Sequence, residues 1–210
     1  MKKSAVRPRS AEKTKARIMA AAKSEFARLG FAGARVDEIA EKAQANKRMI
    51  YHYFGGKESL FQLVLEEAYL DIRSAEQALE LDNLPPQEAL ETLVRFTWQY
   101  YLDNPEFITL VNSANLHRAK HIRGSSKLPA SNKKLNGLVQ DILDRGVKDG
   151  VFRSGVDPLQ LNITIAAVGY YYLTNRFTGE VLFEHDYMDP DALDDRLAFN
   201  LETILRLVRA

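Results

Sequence analysis

Cysteine is absent from this 210-residue chain. Neither a disulfide framework nor a thiolate metal site can form, and a reducing compartment, the cytoplasm, is the expected location. Histidine is scarce, with four residues at no metal-ligand spacing, so no metal is expected. Glycine-rich phosphate loops and nucleophile-elbow patterns are missing too, which argues against an enzyme and leaves no cofactor to expect. Acid pairs such as Asp194 and Asp195 are adjacent on a helix and point apart, so they read as solvated surface. Long apolar runs are also lacking. The longest candidate, Ile163 to Leu173, is interrupted by Gly169 and falls short of the ~18 residues of a membrane span. No apolar stretch follows the basic start MKKSAVRPRSAEKTKAR to make a signal peptide. A soluble protein with no membrane partner is expected.

A charge asymmetry is present instead. The formal net charge is only +1, yet residues 1 to 60 hold 14 Lys and Arg against 6 Asp and Glu, while residues 61 to 210 hold 15 against 22. A basic head on an acidic body suggests that the head meets a polyanion, because phosphate neutralisation dominates nucleic-acid affinity. Read alone, the same balance also describes a solvated basic tail.

Apolar residues recur at spacings of three and four with no sustained alternation, which predicts an all-α chain. Prolines 85, 86, 105, 129, 158 and 190 fall between the periodic blocks, as expected where proline is tolerated only at a first helical turn or outside. This punctuation predicts about nine helices. Ile18, Ala22, Phe26 and Leu29 make a first stripe ending at Gly30, a glycine stop. Val36, Ile39, Ala40 and Ala43 make a second, and after Gln44, Ala45 and Asn46 a short third helix runs from Lys47 to Phe54, capped by Asn46. Gly55 and Gly56 break the chain before a long helix whose Leu60, Phe61, Val64, Leu65 and Ala68 share a face. His121 to Ser131 has the composition of a mobile loop.

The stretch Arg35 to Phe54 meets the needs of a helix-turn-helix: two short helices, a tight turn, and a second helix whose polar side can enter the major groove. Ile50 and Phe54 are spaced to face the core with Val36, Ile39 and Ala43, which leaves Lys47, Arg48, Tyr51 and His52 outward. Arg and Lys suit the O6 and N7 acceptors of guanine, and Tyr, His and Lys suit phosphate oxygens.

With these residues in view, the head resembles the TetR/AcrR (tetracycline-repressor) family through the run RVDEIAEKAQANKRMIYHYFGGKESLF, above all YHYFGGKESLF. The resemblance implies a dimeric, all-helical repressor with an N-terminal DNA-binding head, residues 1–56, and a C-terminal body, residues 57–210, that binds an effector and pairs with its twin. Carried over by position, Lys47 and Arg48 are base readers, Tyr51 and His52 phosphate or mixed contacts, and Tyr53 and Lys57 phosphate anchors. Arg35 adds a contact before the second helix. Three positions depart from the family pattern: Gln44 replaces a small turn residue, Asn46 a serine cap, and Arg48 a small residue. These keep the architecture and alter base preference. The basic residues Lys2, Lys3, Arg7, Arg9, Lys13, Lys15 and Arg17 read as an arm reaching DNA or as a solubilising tail.

The runs NPEFITLVNSANLHRAKHI and GVFRSGVDPLQLNITIAAVGYYYLTNRF resemble one branch of these regulators. An apolar cavity with a few convergent polar groups is the usual small-molecule site, and the pattern nominates Phe96, Tyr101, Phe107, Val111, Asn115, His117, Tyr170, Tyr171, Asn175 and Arg176, with Trp98 nearby. The expected effector is a small aromatic or acidic metabolite, an Arg or His holding its carboxylate. The stripe Leu193, Leu197, Leu201, Ile204, Leu205 and Val208, with the helix from Leu159 to Phe177, reads as a dimer interface or as internal core. A DNA-tethered scaffold that binds a protein, with no effector, is the alternative function.

Overall fold

The computed structural model describes residues 8–210, with side chains from Ser10 onward. Lys2, Lys3 and Arg7 of the basic arm lie outside the described residues, as does the Arg9 side chain. The described residues form α1 (Pro8–Gly33), α2 (Val36–Lys42), α3 (Lys47–Phe54), α4 (Lys57–Gln77), a 3₁₀ turn (Leu81–Asn83), α5 (Pro86–Asp103), α6 (Pro105–Leu116), α7 (Lys127–Lys148), α8 (Pro158–Thr174), α9 (Arg176–Phe183) and α10 (Pro190–Val208). Among them the only extended pairing is an isolated bridge between Phe152 and Arg209. The all-α fold is as expected, with ten helices where the punctuation suggested about nine. The short α9 is not announced by a proline: it starts at Arg176, directly after Asn175 closes α8. No described helix is long and apolar enough to cross a membrane.

Five helices, α1, α5, α6, α8 and α10, begin on proline, where the missing N–H has no intrahelical partner to lose. Asp157 and Asp189 cap α8 and α10 by accepting from the amides of Gln160 and Asp191. Two sequence expectations are corrected. Gly30 does not end the first helix but interrupts it, at φ 66 and ψ 178, and the chain resumes helical structure to Gly33. The break frees the Phe31 N–H from the helical ladder, and it donates to Ser113 Oγ at 3.0 Å. The expected loop His121 to Ser131 ends at Ser126, because α7 takes in Pro129 within its first turn.

The chain divides into two compact units. The first comprises the described residues up to Ala68 together with Thr109–Ser125. Its core joins Ile18, Ala22 and Phe26 of α1 to Ile39 and Ala40 of α2, Ile50 of α3, and Leu60, Phe61, Val64 and Leu65 of α4. Leu29, placed by periodicity on the same stripe, is 40% exposed, just before the Gly30 break re-aims the chain. Leu110 and Ala114 of α6 complete this core.

The second unit comprises Tyr69–Ile108 and Ser126–Ala210. Leu90, Leu93 and Val94 of α5 pack with Val139, Ile142 and Leu143 of α7, Leu161 and Ile165 of α8, and Leu201, Ile204, Leu205 and Val208 of α10. Most of the α10 leucine stripe is therefore internal core. The 3₁₀ turn is tied to α7 by Arg145, whose guanidinium donates to the carbonyls of Leu84 at 2.6 Å and Leu81 at 3.1 Å, and to Asp141 at 2.9 Å.

Candidate nucleic-acid interface and ligand chamber

Helix α3 has eight residues and one fully buried side chain, Ile50. A helix so short is not stable alone in water, so its position is set by its ends and by that anchor. Asn46 accepts the Arg48 amide at 2.9 Å. Gly55 closes the other end in the left-handed conformation, φ 78, with its N–H donating to Tyr51 O at 3.0 Å.

The turn before α3 passes through Gln44 at φ 48. A side chain with a Cβ is strained there by ~1–2 kcal/mol, and this is the position where the family pattern has a small residue. Gln44→Gly is expected to raise stability by about 1 kcal/mol, since glycine adopts the conformation at no steric cost. Denaturant unfolding of the two proteins checks this, and an unchanged or lower midpoint is the contrary result.

Seating Ile50 leaves a polar face outward. Arg35, at the N-cap of α2, is exposed, as are Lys47, Arg48, Met49, Tyr51 and His52. Lys47 pairs with Asp37 of α2 at 2.7 Å, and this hydrogen bond holds the ammonium's pKa above its ordinary value. Both members are about half exposed, where solvent screens the pair, so a phosphate or base edge can replace Asp37 at small cost. Tyr53 is half-buried, with the Lys15 ammonium 5.6 Å from its ring centre. Lys13, Lys15 and Arg17 stand on α1.

Lys57, the first residue of α4, is held against the end of α1. Its ammonium lies 4.8 Å from the Phe31 ring centre and donates to the Ala32 carbonyl at 3.3 Å. Burial pushes its pKa down. The same ring faces His121 at 4.3 Å and His117 at 5.3 Å. Sequence reading did not find Phe31, because its partners on residues 113–121 are more than eighty positions away. A second contact it missed is Glu25 of α1, fully buried and bonded to both Arg28 and Lys42. The Lys42 hydrogen bond above all holds its carboxyl below the ordinary range. This fixes the end of α2 against α1, on the element that carries α3.

The nominated chamber residues are distributed over both units. In the second, Tyr101 stacks on Phe107 at 5.9 Å, Tyr170 meets Tyr101 edge-on at 6.1 Å, and Tyr69 meets Phe107 at 5.5 Å. Phe96 is half-buried, 5.8 Å from Tyr100. Burial pushes the Tyr101 phenol up and the Tyr170 phenol up to about 12. Tyr171 is 67% exposed. Asn175 donates back to the Tyr171 carbonyl at 2.8 Å, and Arg176 lies over the Phe177 ring. Val111, Asn115 and His117 belong to the first unit, where His117 Nδ1 is 3.0 Å from the Ser113 carbonyl.

The second unit also holds a cleft of about 130 Å³, lined by Arg73, Glu76 and Gln77 of α4, Leu81 of the 3₁₀ turn, and Leu135 and Leu138 of α7, among others. None of these was nominated from sequence. No group of three or more acidic or histidine side chains suited to a metal ion occurs among the described residues.

A family profile described as bacterial regulatory proteins, tetR family, matches residues 18–64. A second, for the tetracyclin repressor-like C-terminal domain, matches residues 86–204. The chain is 38% identical over 208 residues to the HTH-type transcriptional repressor NicS of Pseudomonas putida, covering 99% of this chain and 98% of that protein. It is 58% identical over 103 residues to the HTH-type transcriptional repressor SCO4008 of Streptomyces coelicolor, 49% of this chain and 50% of that one. The transcriptional regulator FadR of Bacillus subtilis, solved in complex with stearoyl-CoA, matches at a TM-score of 0.64 and 17% identity over 92% of this chain and 96% of that one, a likeness of fold alone.

Proposed function

Because this chain belongs to the TetR family of bacterial regulatory proteins and is a DNA-binding transcriptional regulator, we propose that it is a homodimeric repressor released from its operator by a small molecule. The observation that carries this reading is the exposed polar face of α3, with Lys47, Arg48, Tyr51 and His52 outward over the buried Ile50. In it Arg48, with Lys47, reads base edges in the major groove. Tyr51 and His52 contact phosphates or bases, and Arg35, Tyr53 and Lys57 engage phosphates, which fix register without reading sequence.

Pairing is supported by apolar side chains that the second unit leaves outside its own core. Ile163 of α8 is 51% exposed, Tyr171 67%, and Phe199 of α10 59%. Large apolar side chains left exposed on these two helices are available to a second copy, and a two-fold dimer presents two α3 helices to half-sites one turn, ~34–36 Å, or a multiple of that apart.

Release follows from shared helices. Both α4 and α6 contribute residues to each unit, so an effector that shifts the half of α4 in the second unit acts on the helix that begins at Lys57. Effector and operator then oppose each other by one coupling factor. Duplexes selected from a random pool should be approximately palindromic, and an effector found by thermal-shift screening should bind more weakly, by the same factor, when operator is present. Equal effector affinity with and without operator contradicts release and favours a DNA-tethered scaffold.

A further inference from the structure

The acidic body contains a stretch that breaks its own charge pattern. Between Glu106 and Asp141 no Asp or Glu occurs. The first unit takes in Thr109–Ser125 from that stretch, and the Lys and Arg residues it gains are Arg118, Lys120 and Arg123. All three are exposed. Lys15, Arg145 and Arg206 each pair with an acid one turn away, Glu12, Asp141 and Glu202. Among the described residues Arg118, Lys120 and Arg123 form no such pair. Glu58, exposed on the first turn of α4, is close enough to be felt at His121, yet it forms no ion pair with the three cations among the described residues.

The backbone carries these cations off the end of α6 in a fixed turn. Arg118 and Ala119 are both left-handed, at φ 54, a conformation that glycine adopts freely and other residues only with strain. Such strain persists where the surroundings enforce it, and it gathers at functional sites. The enforcing contacts are present. The Ala119 N–H donates to the Ala114 carbonyl at 2.8 Å, the Arg123 guanidinium donates to the Arg118 carbonyl at 3.2 Å, and His121 is buried against Phe31 and Phe61. Lys120 is thereby brought to Phe31, with its ammonium 5.5 Å from the ring centre. The Lys57 ammonium lies 4.8 Å from the centre of the same ring. Two cations from distant parts of the chain thus share one aromatic ring, and charges of one sign gathered in this way raise the local concentration of an anion.

We propose that the turn after α6 is part of the DNA-binding surface, where Arg118 and Lys120 engage backbone phosphates beside the one that Lys57 anchors. Phosphate oxygens accept from both side chains and carry no sequence information, so the turn adds affinity and leaves base preference to α3. Arg123 holds the turn through the Arg118 carbonyl. The proposal rests on the reading of Lys57 given above. It extends the interface to a segment that matches the C-terminal and not the N-terminal family profile.

The test measures anisotropy of a selected operator and of a scrambled duplex, over a range of salt, with three full-length proteins: the parent, Arg118→Gln/Lys120→Gln and Lys57→Ala. Both residues replaced in the turn are exposed, and this chain already holds a glutamine at φ 48 at position 44, so the double variant should keep the parent's unfolding midpoint. Each phosphate contact contributes about 0.9 to the slope of log affinity against log salt. The double variant should therefore lose about two in slope and at least about tenfold in affinity near 0.1 M salt, alike on both duplexes. Lys57→Ala should lose about one. The charge-keeping variant Arg118→Lys/Lys120→Arg should retain the parent's slope. An unchanged slope in the double variant, with Lys57→Ala lowering it, overturns the proposal and leaves the reading of Lys57 intact. Loss confined to the operator, or equal loss in the charge-keeping variant, overturns it as well. Failure of the Lys57 reading shows differently: the double variant lowers the slope, Lys57→Ala does not, and the turn stands as a phosphate-binding surface without Lys57.

Discussion

Ile50→Ala is expected to abolish operator binding near physiological temperature without touching an outward residue of α3. Ile50 is fully buried and is the only buried side chain of that eight-residue helix. Large-to-small core truncations cost ~2–5 kcal/mol, transfer and cavity terms together. What remains to hold α3 is the Asn46 cap, worth ~1 kcal/mol, and the Gly55 closure. With its anchor gone α3 has too few residues to persist as an isolated helix. Operator affinity and the unfolding midpoint of the first unit should therefore fall together, which anisotropy and denaturant titrations of the same protein measure. Affinity retained in a destabilised protein would mean that α3 does not present the reading face.

The second large effect belongs to the other unit. A Cβ at Gly146 of α7 would stand 1.9 Å from Phe152 Cδ2. Phe152 is 3% exposed and belongs to the unit's main core cluster, and its N–H donates to the Gly146 carbonyl at 3.0 Å. The ring and the helix are thus fixed to one another, and neither has room to yield. Overpacking of this kind costs ~1–3 kcal/mol and sometimes more, and with backbone and ring both constrained Gly146→Ala should lie at or above the top of that range. At ~2–4 °C per kcal/mol for a chain of this size, the melting temperature should drop by about 6–12 °C or more. Adding Phe152→Ala should cost less than the two single changes summed, because contacting residues couple. An unperturbed Gly146→Ala protein would contradict the packing of Phe152 on α7.

The head was largely legible because what builds it is local. The spacing of Val36, Ile39, Ala43 and Ile50, the Asn46 cap and the Gly55 stop all act within twenty residues, and each is a direct consequence of helix geometry. Prolines 86, 105, 158 and 190 likewise marked helix starts, since a first turn has no amide bond to lose. The contacts that hold the head to residues 113–121 were not legible. Nothing in the neighbourhood of Phe31 announces Ser113, His117 or His121, because helical periodicity says that a face is buried and not against what. The same limit applies to consecutive aromatics: of Tyr170, Tyr171 and Tyr172 the second is 67% exposed and the third buried. The apolar stripe on α10 shows it again, with Leu201, Ile204, Leu205 and Val208 serving the unit's own core while Phe199 faces out.

The most direct test of the central claim, that α3 reads DNA while Lys57 anchors it, is the salt dependence of binding to a selected operator and to a scrambled duplex. The parent and the Arg48→Ala and Lys57→Ala variants are compared. Operator affinity of the parent should fall steeply with salt. Lys57→Ala should weaken binding to both duplexes alike and reduce the salt slope by about one. Arg48→Ala should narrow the preference for operator over scrambled DNA by ~1–3 kcal/mol, the worth of one base-reading contact. Full, salt-independent binding retained by both variants would contradict the account.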